Sequence, residues 1–142
     1  MFTACSSAQT GVIAVVDTDL DVPQQLALIR TRVGSSVFDF VLDDATRPLG
    51  IPFSFVVVPQ DDDASRPLTI VVEALDPTRA FMFDLATETG FREGVYLRLP
   101  LFLAADCRGQ MCSAVETCGL GGCQSRVVDP RTLDIVEPGR EL

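Results

Sequence analysis

Four cysteines, Cys107, Cys112, Cys118 and Cys123, fall within the stretch CRGQMCSAVETCGLGGC and form the densest group of reactive side chains in the sequence. Thiols this close together either hold a metal or pair as disulfides. Structural zinc sites favour cysteine pairs two to four residues apart, with a longer stretch between the pairs. Here the gaps are four, five and four residues, and the chain has no histidine to complete a mixed ligand set. Two disulfides are the better account, because the segment has too few large apolar residues to fold by burial alone. Four cysteines allow three pairings. The interleaved one is expected, Cys107 with Cys118 and Cys112 with Cys123, each closing about a dozen residues and contributing roughly 3 kcal/mol in the chain-entropy account.

A fifth cysteine, Cys5, is then the odd one out. Phe2-Thr3-Ala4-Cys5 resembles the end of a bacterial lipobox, in which an apolar residue, a small residue and Ala or Gly precede a cysteine that becomes lipidated. Phe2 stands where that motif usually has leucine. An ordinary thiol is the alternative. The segment MFTACSSAQT is itself too short to hold the charged and apolar regions of a signal peptide.

The other candidate chemistry is carboxylate. Asp17, Asp19 and Asp21 recur at a spacing of two, which places three acids on one side of an extended chain. Calcium takes several oxygen ligands, and the EF-hand loop opens D-x-D-x-D-G. The rest of that motif is missing: Val22 stands where the turn glycine is required and Leu28 where the bidentate glutamate belongs. The alternative is a solvated strand end leading to Pro23. Asp61, Asp62 and Asp63 form a second acidic run, read as a solvated hairpin tip. Carbohydrate recognition is the companion alternative, but it usually relies on aromatic platforms, and the chain has no tryptophan and one tyrosine, Tyr96.

Composition removes several functions. With no histidine and no lysine, Ser-His-Asp and Cys-His catalysis, Schiff-base chemistry and the P-loop lysine are all excluded. The net charge of −9 and the scattered arginines exclude unaided nucleic-acid binding, which needs clustered cations to neutralise phosphates. The chain is therefore expected to be no enzyme and to need no cofactor. A carboxylate-pair hydrolase would require a cleft that short loops rarely build.

Strands must position these groups. Val12 to Val16 is a short β-branched run bounded by Gly11 and DTDLD, expected as a strand buried on both faces. Leu26 to Val33 suits helix or strand, and a strand over Leu28 to Val33 is favoured, turning at Gly34 into VFDFVL as a hairpin. Phe53 to Val58 follows a loop broken by Pro48, Gly50 and Pro52. Leu68 to Leu75 is the clearest strand. Phe81, Phe83 and Leu85 then alternate with Met82, Asp84 and Ala86, and Val95 to Leu103 alternates leucines, with Pro100 marking an edge or an interruption.

Seven short strands with turns about every ten residues read as all-β, a single antiparallel β-sandwich of immunoglobulin-like or transthyretin-like kind, with a small disulfide-stapled C-terminal knob. The expected divisions are 1–10 as a lipoprotein-type segment, 11–104 as the sandwich, 105–126 as the knob and 127–142 as a tail. That tail either packs through Val127, Leu133 and Ile135 or serves as a linker. No stretch is long and apolar enough to cross a bilayer as a helix, so membrane attachment is expected only through a lipid on Cys5.

The chain also resembles surface lipoproteins of myxobacteria and related bacteria, a family of unassigned activity. The resemblance rests on Cys5, Val15 to Leu20, Thr89-Gly90-Phe91, the four clustered cysteines, and Val128-Asp129-Pro130 to Leu133. It implies location and architecture, and no reaction; Cys5, the strand pattern, the cysteine knob and the absence of catalytic residue types together lead to the expectation of an extracytoplasmic, lipid-anchored, non-catalytic structural or protein-interaction module at the outer membrane or cell surface, whose partner is an envelope or cell-surface protein.

Overall fold

A computed structural model describes residues 9–47 and 49–137. Seven strands build the two main sheets: β1 (Gly11–Thr18), β2 (Leu28–Val33), β3 (Ser36–Val41), β4 (Phe53–Val57), β5 (Leu68–Leu75), β6 (Phe81–Thr89) and β7 (Tyr96–Leu103). β8 (Glu116–Gly119) and β9 (Gly122–Ser125) form a separate hairpin, and β10 (Asp134–Val136) returns to the body. One sheet has the order β10-β7-β1-β4 and the other β3-β2-β5-β6. The all-β sandwich with a disulfide-bonded C-terminal region is therefore the architecture of the chain.

Two strands match their expected limits, β2 and β5, and both are regular runs closed by turn residues. Between β2 and β3 the chain reverses over Gly34 and Ser35, with Val33 opposite Ser36. Gly34 has φ +60°, the region a glycine adopts without a Cβ penalty.

The core lies between the inner faces. Val12, Ala14 and Val16 of β1 and Leu97, Leu99 and Leu101 of β7 meet Ile29 of β2, Ile70 and Val72 of β5 and Leu85 of β6. At one side the two sheets are joined by phenylalanines. Phe38 and Phe40 of β3 lie against Phe55 of β4 with ring centroids 5.6 Å apart in each case, and Phe40 lies 4.5 Å from Phe53.

Two departures from the expected antiparallel arrangement are physical consequences of long-range pairing. β1 and β7 run parallel, with Gly11 opposite Tyr96 and Thr18 opposite Leu103. Strands this far apart in sequence need no hairpin, so neither direction is imposed by a turn. The tail is also no free linker, because β10 adds antiparallel to β7 over Tyr96–Arg98. Beyond Arg98 that side of β7 is open among the described residues, which accommodates the missing amide of Pro100. Of the three tail residues expected to pack, Leu133 is half-buried against the core while Val127 and Ile135 stay exposed.

Thr31 sits in the middle of β2 on the core side, opposite Phe38 and Val72, and is fully buried. Its hydroxyl has no hydrogen-bond partner. A buried unsatisfied hydroxyl costs about 1–3 kcal/mol, so the near-isosteric Thr31→Val is expected to stabilise the fold by about 1 kcal/mol. A higher denaturation midpoint with an unchanged slope is the readout; a lower midpoint would mean that the hydroxyl is satisfied.

Candidate functional site

The knob is the most distinctive structure outside the sandwich. The chain leaves β7 into a short 3-10 turn, Ala105–Cys107, then forms the β8–β9 hairpin. Disulfides join Cys107 to Cys118 and Cys112 to Cys123, the interleaved pairing, with eleven residues of sequence separation each. Cys107 and Cys118 are buried against the sandwich core, whereas Cys123 is exposed. One bridge therefore fixes the knob to the body and the other closes its outer rim.

The knob docks on the outer edge of β6. The Ala86 amide donates to Thr117 Oγ1 at 2.9 Å inside the buried interface. Farther along the same edge the Glu88 amide donates to the Arg126 carbonyl at 2.8 Å and the Val128 amide to the Glu88 carbonyl at 2.9 Å. An edge strand presents unpaired amides and carbonyls, and covering them removes a site of edge-to-edge association. Between the first half of β6 and the knob remains a groove of about 290 Å³, lined in part by Phe81, Asp84, Met111 and Glu116. Of its lining acids, Glu116 accepts from the Ser113 amide at 3.3 Å.

Asp17, Asp19 and Asp21 do not converge. β1 ends at Thr18, so the alternation that would align them stops after the first. Asp17 accepts from the neighbouring Thr18 amide at 2.8 Å. Asp19 turns toward the knob, where its carboxylate accepts from the Ala105 amide at 2.6 Å. The Asp21 backbone carbonyl receives the Gln25 and Leu26 amides, and its own amide donates to the Gln25 side chain. Among the described residues no group of three or more His, Cys, Asp or Glu side chains is placed to hold a metal ion. The calcium reading therefore has no ligand set here. Asp19 instead ties the end of β1 to the entrance of the knob, next to a bond from the Thr18 hydroxyl to the Leu103 carbonyl at 2.7 Å. Spacing alone could not reveal that role, because the amide it serves is 86 residues away.

The second acidic run is likewise engaged locally. Asp63 accepts from the Ser65 amide at 3.0 Å, and Arg66 lies 3.3 Å from Asp61. Tyr96 is also committed, since its ring lies over Gly11, where an added Cβ would stand 2.5 Å from a ring carbon, and its hydroxyl donates to the Gln9 side chain. Cys5, the expected lipidation site, lies outside the described residues.

Comparison with known proteins finds no matching family, no matching curated protein and no matching solved structure. The geometry is then the basis for function. The chain has no histidine or lysine, and Asp17, Asp19, Asp61 and Asp63 are each engaged by hydrogen bonds or ion pairs within the fold.

Several carboxyl groups titrate low. The Arg30 guanidinium holds Asp39 below the usual carboxylate range, Arg79 does the same for Asp43, and the Thr46, Ser65 and Thr78 hydroxyls do so for Asp44, Asp63 and Asp76. Arg131, hydrogen-bonded at 2.8 Å, brings Asp129 down to about 2. A carboxyl whose folded value lies below its unfolded value of about 3.9 contributes stability that is present above that value and lost as pH falls through the folded value. With no histidine to titrate in between, the melting temperature is expected to stay level from about pH 5 to about pH 8 and to drop only below about pH 4. A calorimetric series across that range checks it; a transition near pH 6 would contradict the assignment.

Proposed function

We propose that this chain is a non-catalytic structural or protein-interaction module of the bacterial cell envelope, working outside the cytoplasm and held at the outer membrane or cell surface by a lipid on Cys5. The observation that carries the reading is the interleaved pair of disulfides in the knob, because such bridges form and persist in oxidising compartments and are rare where glutathione and thioredoxin keep thiols reduced. A buried bridge at the junction of knob and sandwich makes the oxidised state part of the fold itself. The resemblance to surface lipoproteins of myxobacteria agrees with this location, as does the lipobox-like Phe2-Thr3-Ala4-Cys5. The partner is an envelope protein, and neither nucleic acid nor a bare anionic membrane suits a chain of net charge −9.

Fractionation of the native organism followed by intact-mass measurement tests the proposal. The expected result is recovery in the envelope fraction, two oxidised bridges and a mass increase on the peptide carrying Cys5. A cytosolic protein with free thiols and an unmodified Cys5 would overturn it.

A further inference from the structure

The four sheet edges are finished differently. β6 is covered in its second half by the knob and the chain after it, and β10 is three residues long. On the other side β3 and β4 meet through their phenylalanines, and neither has a further strand beside it among the described residues. β3 is the more open of the two, exposed at five of its six residues where β4 is exposed at one of five.

β3 reads SVFDFV, β-branched and aromatic with a single charge. The Leu42 amide donates to the Ala27 carbonyl at 2.9 Å, so Leu42 is turned toward β2. Along an antiparallel pair, successive residues turn alternately toward and away from the partner strand. The amides and carbonyls of Val37, Asp39 and Val41 therefore point away from β2, and no hydrogen bond engages them among the described residues. Their side chains stand on the outer face, where Asp39 heads the row Asp39–Arg30–Glu73. Phe38 and Phe40 point between the sheets, toward Phe55. Val37 is 51% exposed, Val41 37% and Phe38 36%. A long apolar edge with free main-chain groups is a template for another strand.

We infer that the outer edge of β3 takes up an extended segment of a partner protein as an added strand, apolar except for one basic residue opposite Asp39. Three amide–carbonyl pairs at two-residue steps match a segment of about five residues in β conformation, whose main chain satisfies them in one ladder. The side chains follow from the pleat. On the inner face they lie beside Phe38 and Phe40 and enlarge the aromatic seam with Phe55. On the outer face two stand opposite Val37 and Val41 and are apolar, and the one between them faces Asp39. Asp39, Arg30 and Glu73 already alternate in sign across the sheet, with Arg30 2.9 Å from Asp39. A cation in the next place continues that alternation, and the carboxylate has lone pairs left to receive it.

Charge decides between occupants. Full-register pairing of β3 with β3 of a second copy would set Asp39 against Asp39, and like charges directly opposite are destabilising. A basic segment suits both Asp39 and the net charge of −9. The inference deepens the protein-interaction part of the proposed function and rests on it. Its test uses the purified chain, so the location and the lipid on Cys5 stand or fall separately.

Two capped peptides test it, acetyl-Val-Leu-Lys-Leu-Val-amide and the same peptide with Glu in place of Lys, each titrated into the purified full chain to about 5 mM. Amide chemical shifts and hydrogen exchange are the readouts. The lysine peptide should shift the Val37, Asp39 and Val41 amides saturably and slow their exchange, which is fast in the chain alone. The glutamate peptide should bind about fivefold more weakly. Val37→Pro removes an outward amide without removing a bond to β2, and should raise the dissociation constant at least about tenfold. Asp39→Lys leaves the main chain intact and should invert the preference between the two peptides. Melting curves establish that both variants are folded. The absence of a saturable shift at these three amides would overturn the inference. So would equal binding of the two peptides, or binding that neither variant changes.

Discussion

Replacing Cys107 and Cys118 together by alanine is expected to lower the unfolding free energy by about 3–4 kcal/mol, and replacing Cys112 and Cys123 by about 2–3 kcal/mol. The two bridges span the same eleven-residue separation, so their contribution through the unfolded chain is equal in the loop-closure account. Interleaving shortens the loop that either one closes while the other remains, which brings each entropic share toward the lower figure. The difference comes from the folded side. Cys107 and Cys118 belong to the buried cluster that includes Leu103 and Ala104, and truncating them leaves unfilled space at the junction of knob and sandwich. Cys112 is only partly buried against the core and Cys123 is solvent-exposed, so truncating that pair leaves less. Guanidinium denaturation of the two double variants measures both quantities. Equal losses would show that burial of the inner bridge adds nothing.

Thr117→Val should cost about 2 kcal/mol, although the replacement has nearly the same shape. The Ala86 amide lies on the outer edge of β6, in a buried position, and Thr117 Oγ1 is the acceptor that serves it at 2.9 Å. Removing that oxygen strands a buried N–H, whose desolvation cost is about 1–3 kcal/mol. The loss is expected to be local: amide hydrogen exchange at Ala86 should accelerate, while Val72 and Ile70 in the middle of the sheet keep their protection up to the new global stability. Thr117→Ser retains the acceptor and should restore protection at Ala86. If valine and serine behave alike, a different group satisfies the amide.

Both predictions concern the way the knob protects a sheet edge. β6 is the last strand of its sheet, and without the knob its free amides and carbonyls would face solvent along the whole strand. The Thr117 hydroxyl, the Arg126 carbonyl and the Val128 amide cover its second half. Reduction of the bridges would loosen that cover and expose an edge prone to association. The oxidised compartment implied by the disulfides and the protection of β6 are thus linked through the same twenty residues or so of chain.

Much of this was legible in the residues. Alternating apolar positions bounded by Gly, Pro and Asp mark β2, β3, β5, β6 and β7, because a half-buried strand must change sides at every residue. The continuous apolar run of β1 marks a strand covered on both faces, and Val12 to Val16 are all nearly inaccessible. The cysteine spacing pointed to two bridges in a segment with few large apolar side chains. β10 left no trace, because three residues are too few to establish a period and become a strand only where β7 offers a ladder.

The acids show the division most clearly. Asp17, Asp19 and Asp21 have the spacing of a ligand set, but the spacing holds only while the chain is extended, and the strand ends at Thr18. Local pattern, then, determined the strands, the turns, the disulfide-bearing segment and the absence of histidine or lysine chemistry, since each follows from side-chain type and near-neighbour order. Only the tertiary structure decided the parallel pairing of β1 with β7, the service of Asp19 to a distant amide and the docking of the knob on β6. Each of those depends on which strands lie side by side, and non-local pairing is settled by burial of the whole core rather than by any short stretch of sequence.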